Sequence, residues 1–257
     1  MGARGRVRVW LNPQELAIRQ LTPQDVQGRV VAMIDVLRAS TTIAVTLANG
    51  ARTVIPLESS EDVVTRSKQF ERAGVLLAGE RRMLKMEGFD LGNSPAEHTR
   101  ETVEGKTVLL TTTNGTRALL AVQGARDVVV ASYVNLTAVC AMLRAALRGG
   151  ADVTIVCAGQ DRQFALEDAA CAGRYVYQIT KRLQQSDVND AALAASLIDR
   201  KYGDNLMRLF STAAHGRALA AAGFEGDLAA CAAVDSYPVI PIYQDRHITK
   251  LGPERER

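Results

Sequence analysis

The sequence predicts an α/β fold of three layers, α/β/α, with a largely parallel sheet and helices on both faces. Three observations predict it. Short runs rich in Val, Ile and Leu recur along the chain, and near-continuous apolar runs suit strands buried on both faces. Segments of helical periodicity separate them, and strand-helix alternation marks this class. The 257 residues, 47% apolar and 23% charged, suffice to build a core in a single domain.

The first strand, Val7–Leu11, alternates with Arg8 and is read as an edge strand within an N-terminal extension, residues 1–29. Further strands are predicted at Val30–Val36, Thr53–Leu57, Val75–Gly79, Thr107–Thr111, Asp127–Ala131 and Asp152–Cys157. Helices fall between them at Thr41–Ala48, Glu61–Arg72, Gly115–Val122, Leu136–Leu147 and Leu166–Leu183. Ser59-Ser60-Glu61-Asp62 supplies an N-cap and an acidic first turn. Residues 186–250 read as mainly helical, with helices at Asp190–Ile198 and Asn205–Ala222 and Gly223 as a stop. Val239–Tyr243 returns as a last strand, assigned to an edge because of Pro238 and Pro241. Residues 251–257 are expected to be a disordered tail.

Two stretches read as one unit used twice, Ile34 to Pro56 and Leu109 to Ala131. Each runs strand, polar loop, helix, Gly-Ala-Arg, strand; chance similarity of two βαβ units is the alternative. The connection from Glu80 to Thr99 breaks the rhythm. It carries Leu84, Met86, Phe89 and Leu91 among its charges, so it is expected to pack down as a functional loop.

The net charge is only +3, with arginines scattered singly. Nucleic-acid binders show a basic stripe, so a small anionic ligand fits better. No apolar run reaches the length of a membrane helix, and Met1 to Leu11 lacks the apolar core of a signal peptide. Cys140, Cys157, Cys171 and Cys231 form no CxxC pair. They read as small core residues of a reduced, cytoplasmic chain. A homodimer is expected from the general frequency of such assemblies.

In open α/β sheets, ligands bind beyond the carboxyl ends of the strands. Here those positions are polar: Asp35 to Thr42, Glu58, Glu80-Arg81-Arg82, Thr111 to Thr116, and Ala158 to Arg162 followed by Glu167-Asp168. Ser40-Thr41-Thr42 and Asn114-Gly115-Thr116 stand at predicted helix N-termini, where free N–H groups favour an anion. Arg38 can grip two phosphate oxygens at once. Ser40 and Asn114 acting only as N-caps is the competing reading. Carboxylates beside a phosphate call for a cation, and Mg²⁺ takes one or two of them; the candidates are Asp35, Glu80, Asp90, Glu167 and Asp168. Three separated histidines do not suggest a zinc site, and His215 reads as a surface or capping group kept in play by Gly216 and Arg217. Common signatures fail one by one. Asp35-Val-Leu lacks the second Asp of Asp-x-Asp, Cys157 and Arg162 are one residue too close for Cys-x5-Arg, and there is no Walker A or Gly-x-Gly-x-x-Gly.

The motifs DVLRASTTI (35–43), ANGA (48–51), LAGERRMLKMEGFDLGNSP (77–95), TTTNGTRAL (111–119), CAGQDRQFALEDAACAG (157–173) and the run from Ala213 to Asp235 closely resemble the 2-phosphosulfolactate phosphatases. The likeness extends in order from about Val30 to Ile242. It implies a Mg²⁺-dependent phosphohydrolase acting on 2-phospho-3-sulfolactate, a step towards coenzyme M, on a three-layer α/β/α fold peculiar to the family. Combined with the strand-end pattern, it implies catalytic roles for Asp35, Arg38, Glu80 and Asp168. Asp35, Glu80, Asp90 and Asp168 are the implied metal ligands, with Asp35 as ligand and either nucleophile or water-positioning base. Ser40, Thr41, Arg81, Asn93, Thr112, Thr113, Asn114, Gly115, Thr116 and Arg162 are the implied substrate-binding residues, Arg81 or Arg162 pairing with the carboxylate or sulfonate. Two other readings compete: a phosphatase for another small 2-phospho acid, and a non-catalytic phosphoester-binding protein. A structural protein is a third class, disfavoured by so many acids on one sheet edge.

Overall fold

The computed structural model describes residues 5–11, 21–181 and 187–252, and among them ten strands form one sheet. They are β1 (Val7–Trp10), β2 (Val30–Ile34), β3 (Thr53–Pro56), β4 (Val75–Arg81), β5 (Leu84–Lys85), β6 (Thr107–Thr111), β7 (Asp127–Ala131), β8 (Val153–Cys157), β9 (Pro241–Gln244) and β10 (His247–Lys250). Their order is β1-β8-β2-β7-β9-β10-β3-β6-β4-β5. β1, β8, β2 and β7 make one parallel block; β3, β6 and β4 make another. The β9–β10 hairpin joins the blocks by antiparallel pairing to β7 and β3.

The helices are α1 (Pro23–Val26), α2 (Ala39–Ala48), α3 (Ser60–Ser67), α4 (Arg100–Val103), α5 (Gly115–Ala121), α6 (Leu136–Arg148), α7 (Leu166–Thr180), α8 (Asp190–Tyr202), α9 (Leu206–Thr212), α10 (Ala214–Ala221) and α11 (Glu225–Ala232). Alternation along β2 explains the layers. Val30, Ala32 and Ile34 pack with residues of α6, α7 and α8, while Val31 and Met33 pack with α2 and α5. β2, β3, β6 and β8 are buried along their whole length, and the predicted α/β/α arrangement is present. Among the described residues no helix is long and apolar enough to cross a membrane.

The duplicated unit is visible in space. β2–α2–β3 crosses from the first block to the second, and β6–α5–β7 crosses back. Gly50 (φ 94°) and Gly124 (φ 93°) adopt matching conformations. The following arginines donate equivalent backbone bonds, Arg52 to Lys106 O at 2.8 Å and Arg126 to Arg29 O at 2.9 Å.

Several sequence expectations need correction. The last strand is not an edge: the C-terminal hairpin fills the middle of the sheet. Pro241 is tolerated because it opens β9, where no ladder N–H is needed. The helix expected over 205–222 is two, α9 and α10, broken at Ala213, which is extended (φ −67°, ψ 141°). Gly216 packs so closely that a Cβ there would lie 2.0 Å from the Phe210 carbonyl oxygen, and a straight helix would not bring them together. α2 begins at Ala39, which puts Ser40 inside it rather than at its cap. α3 ends at Ser67. The connection after Glu80 holds a strand, β5, hairpinned onto β4. The helix expected to reach Leu183 is described to Thr180; Leu183 and residues 253–257 of the expected tail lie outside the described residues.

Candidate active site

A cavity of about 460 Å³ opens where the loops after β2, β4, β6 and β8 meet, within the usual range for small-molecule sites of about 300–1,000 Å³. Asp35, Arg38, Glu80, Arg81, Thr112, Thr113 and Asn114, all from the strand-end pattern, line it together with Asn93. Leu37, Arg82, Met83, Gln160, Asp161 and His215 line it too.

The repeat builds its centre. The first residue after β2, Asp35, accepts the Ala39 N–H on Oδ1 at 3.3 Å. The first residue after β6, Thr112, accepts the Thr116 N–H on Oγ1 at 3.3 Å. The two units therefore make the same i, i+4 turn into a helix N-terminus, one with a carboxylate and one with a hydroxyl. Ser40 and Thr41 support this from below. The Asp35 N–H donates to Ser40 Oγ at 2.8 Å, and Thr41 Oγ1 donates to Val36 O at 2.9 Å. Both are buried and neither lines the cavity.

Burial pushes the Asp35 carboxyl up to about 7, with Glu80 and Glu167 adding repulsion against the Ala39 bond and Arg38. Burial likewise raises Glu167 to about 7. Asp168 is raised by burial and then by Asp35 and Glu167. Asp168 lies beneath the wall, not on it: its oxygens accept the Val36 N–H at 2.9 Å and the Gly159 N–H at 3.1 Å, tying two site loops together.

Glu80 is a clamp. Oε1 accepts the Thr113 N–H (2.9 Å) and hydroxyl (2.8 Å), and Oε2 accepts the Met83 N–H (2.8 Å). Arg38 is buried and paired to Asp227 at 2.7 Å, donates to Met83 O at 2.6 Å and lies 4.4 Å over the Phe224 ring. Asp227 also accepts from Ser94 Oγ at 2.6 Å. Two turns with consecutive left-handed residues border the cavity: Arg82 and Met83 (φ 52° and 73°), and Asp161 and Arg162 (φ 49° and 65°). The Asp161 N–H donates to Asn114 Oδ1 at 3.1 Å. Such conformations cost of order 1–3 kcal/mol each and cluster at functional sites. Two polar atoms of residues in the wall are buried without a hydrogen-bond partner among the described residues, Asn93 Oδ1 and His215 Nδ1.

A model of the 2-phosphosulpholactate phosphatase family matches residues 16–246. The chain belongs to this family. A probable 2-phosphosulfolactate phosphatase of Caldanaerobacter subterraneus is 38% identical over 221 residues, 86% of this chain and 90% of that protein. Another, of Symbiobacterium thermophilum, is 38% identical over 228 residues, 89% and 97% of the two chains. The Thermotoga maritima protein of the same description is 38% identical over 216 residues, 84% and 89%. The family consists by name of phosphoric monoester hydrolases.

For this phosphatase-family chain, the structure leaves some predicted residues outside the cavity. Asp90 accepts from Arg72 at 2.5 Å and from the Leu77 N–H at 2.8 Å, a structural pairing on the sheet's outer part. Arg162 sits in its turn but does not line the cavity, and Gly115 and Thr116 stand behind Thr112. Among the described residues no group of three His, Cys, Asp or Glu side chains is arranged to hold a metal ion, so Asp35, Glu80, Asp90 and Asp168 form no common cage. The oxygens of Glu80, Asp90 and Asp168 are already engaged by N–H and O–H donors.

Proposed function

We propose that this chain hydrolyses 2-phospho-3-sulfolactate to 3-sulfolactate and phosphate, as a Mg²⁺-dependent cytoplasmic enzyme. The observation that supports it best is the meeting of Asp35, Arg38 and the Thr112–Asn114 loop in one cavity, in a chain of this family. Arg81 and Arg82 on the same wall suit a substrate with a second anionic group.

The residues fit Mg²⁺ in a modest way. Asp35 brings a carboxylate to the cavity, and Asn93 Oδ1 is an acceptor without a donor among the described residues. These two hard oxygens would hold the cation together with water and phosphate oxygens, since Mg²⁺ keeps most of its shell outside the protein. Bound there, Mg²⁺ would neutralise charge on the phosphoryl group. Arg38, held in place by Asp227, faces the phosphate with its remaining N–H groups. Asp35 would also orient an attacking water beside the phosphate and take its proton. Four buried free thiols suit a reducing compartment.

The test is phosphate release from 2-phospho-3-sulfolactate by purified protein, with EDTA and then with Mg²⁺ restored. Release that stops with EDTA and returns with Mg²⁺ is expected. No release under any condition overturns the phosphatase assignment, and full activity in excess EDTA overturns the metal requirement.

A further inference from the structure

His215 lines the cavity, and its enclosed Nδ1 has no hydrogen-bond partner among the described residues. The other histidines differ. His98 is bonded on both nitrogens, to Thr46 Oγ1 at 2.8 Å and Gly92 O at 3.3 Å, and His247 Nδ1 meets Asp245 O at 2.7 Å. An unsatisfied buried polar atom is costly and calls for an explanation. The chain also shapes itself to put the ring there. α9 stops, Ala213 is extended, and Gly216 lets the first turn of α10 sit on the Phe210 carbonyl. His215 thus enters the cavity from the C-terminal helices, whereas Asp35 and Thr112 enter from strand ends.

We propose that His215 is a catalytic residue, the general acid that protonates the leaving oxygen. The assignment rests on the phosphoester reading above. The ester oxygen of a 2-phospho acid departs as a secondary alkoxide, which needs a proton. As the water oxygen bonds to phosphorus, the phosphorus–oxygen ester bond breaks and its electron pair goes to the bridging oxygen. The proton on His215 Nε2, the ring nitrogen that is not enclosed, passes to that oxygen and gives the product hydroxyl. The N–H electron pair stays on the ring, which regains a proton from solvent, and the water proton goes to Asp35.

The charged groups reaching His215 are Arg38, Glu80 and Asp161. Burial and then Arg38 push the imidazole below its ordinary value, while Glu80 and Asp161 pull it back up. An arriving phosphoester brings negative charge against Arg38, so the ring takes up its proton together with the substrate.

The experiment compares 2-phospho-3-sulfolactate with its analogue carrying sulfur in place of the bridging oxygen, because a thiolate leaves without a proton. His215→Gln and His215→Asn should lose about a hundredfold or more in kcat on the oxygen ester and change little on the sulfur ester, the usual range for general acid catalysis. Equal loss on both esters, or no loss on the oxygen ester, overturns the assignment. The wild type carries the same test should the variants fold poorly. Its kcat should fall at high pH for the oxygen ester only, and a fall common to both esters also overturns it. A wild type inactive on both esters removes the phosphatase reading itself.

Discussion

Gly115 faces Asp35 so closely that a Cβ on it would lie 2.9 Å from Asp35 Oδ2 and 2.8 Å from Ala39 Cβ. The start of α5 therefore packs on the carboxyl that accepts the Ala39 N–H, and the two halves of the repeat meet at the cavity.

Gly115→Ala should displace that carboxyl or part the two helix starts. A shift near an ångström at a reacting group can cost about a hundredfold, so a loss of at least tenfold in kcat is expected, with a far-ultraviolet spectrum like the wild type's. Unchanged kinetics would show that Asp35 tolerates displacement and is not a reacting group.

Asp35 also gives a pH prediction. Its folded carboxyl titrates near 7, against about 4 in an unfolded chain. Between those values the folded state binds the extra proton, so stability is complete below about pH 4 and falls as pH rises through 7. Asn cannot ionise and keeps an oxygen for the Ala39 N–H. Measured by urea unfolding in EDTA, Asp35→Asn should exceed the wild type at pH 8 by on the order of 2–4 kcal/mol, and the gap should close towards pH 4. Its turnover should drop about a hundredfold, the scale of losing a key electrostatic group. A pH-independent gap would show that Asp35 is not held against its charge.

Much of this site was legible in sequence because strand ends and helix starts announce themselves locally. Asp35, Arg38, Glu80 and Thr112 to Asn114 were found that way. What local reasoning missed depends on contacts far apart in the chain. The partners of two implied site residues are of this kind: Asp90 pairs with Arg72, and Asp168 accepts the Val36 and Gly159 N–H groups. His215 reads in sequence as a surface or capping group kept in play by Gly216 and Arg217, because its placement depends on a helix break that periodicity runs straight through. The one available signal was the Gly directly after it. The central hairpin was missed for a similar reason: prolines rule against a ladder position, but not against the first residue of a strand.

The Arg38–Asp227 pair is almost completely buried, with side chains 2% and 5% exposed. Removing one member leaves an uncompensated charge, so Asp227→Ala should lose about 3–5 kcal/mol in urea unfolding. Arg38→Lys keeps the charge but not the reach to both Asp227 and Met83 O, nor the flat stack on Phe224. It should raise KM for the phosphoester more than it lowers stability. A stability loss with KM unchanged would make Arg38 a purely structural residue.

Glu80 joins three parts of the wall: β4, the Thr113 loop and the Arg82–Met83 turn, which in turn holds Arg38 through the Met83 carbonyl. All its bonds are accepted, two on one oxygen and one on the other. Glu80→Gln preserves shape but turns one of those oxygens into a donor, which must then face either the Met83 N–H or Thr113. One lost bond with a buried donor facing another costs about 1–3 kcal/mol, and the left-handed turn is the weaker partner because it already stores strain. The turn should therefore release first, taking with it the carbonyl that orients Arg38 and the side chains of Arg81 and Arg82. The expected outcome is a KM raised about tenfold, as ΔΔG in that range implies, with kcat less affected. Hydrogen exchange should quicken at residues 81–84 before residues 112–114. Faster exchange confined to 112–114 would mean that Glu80 serves the Thr113 loop and that another group holds the turn.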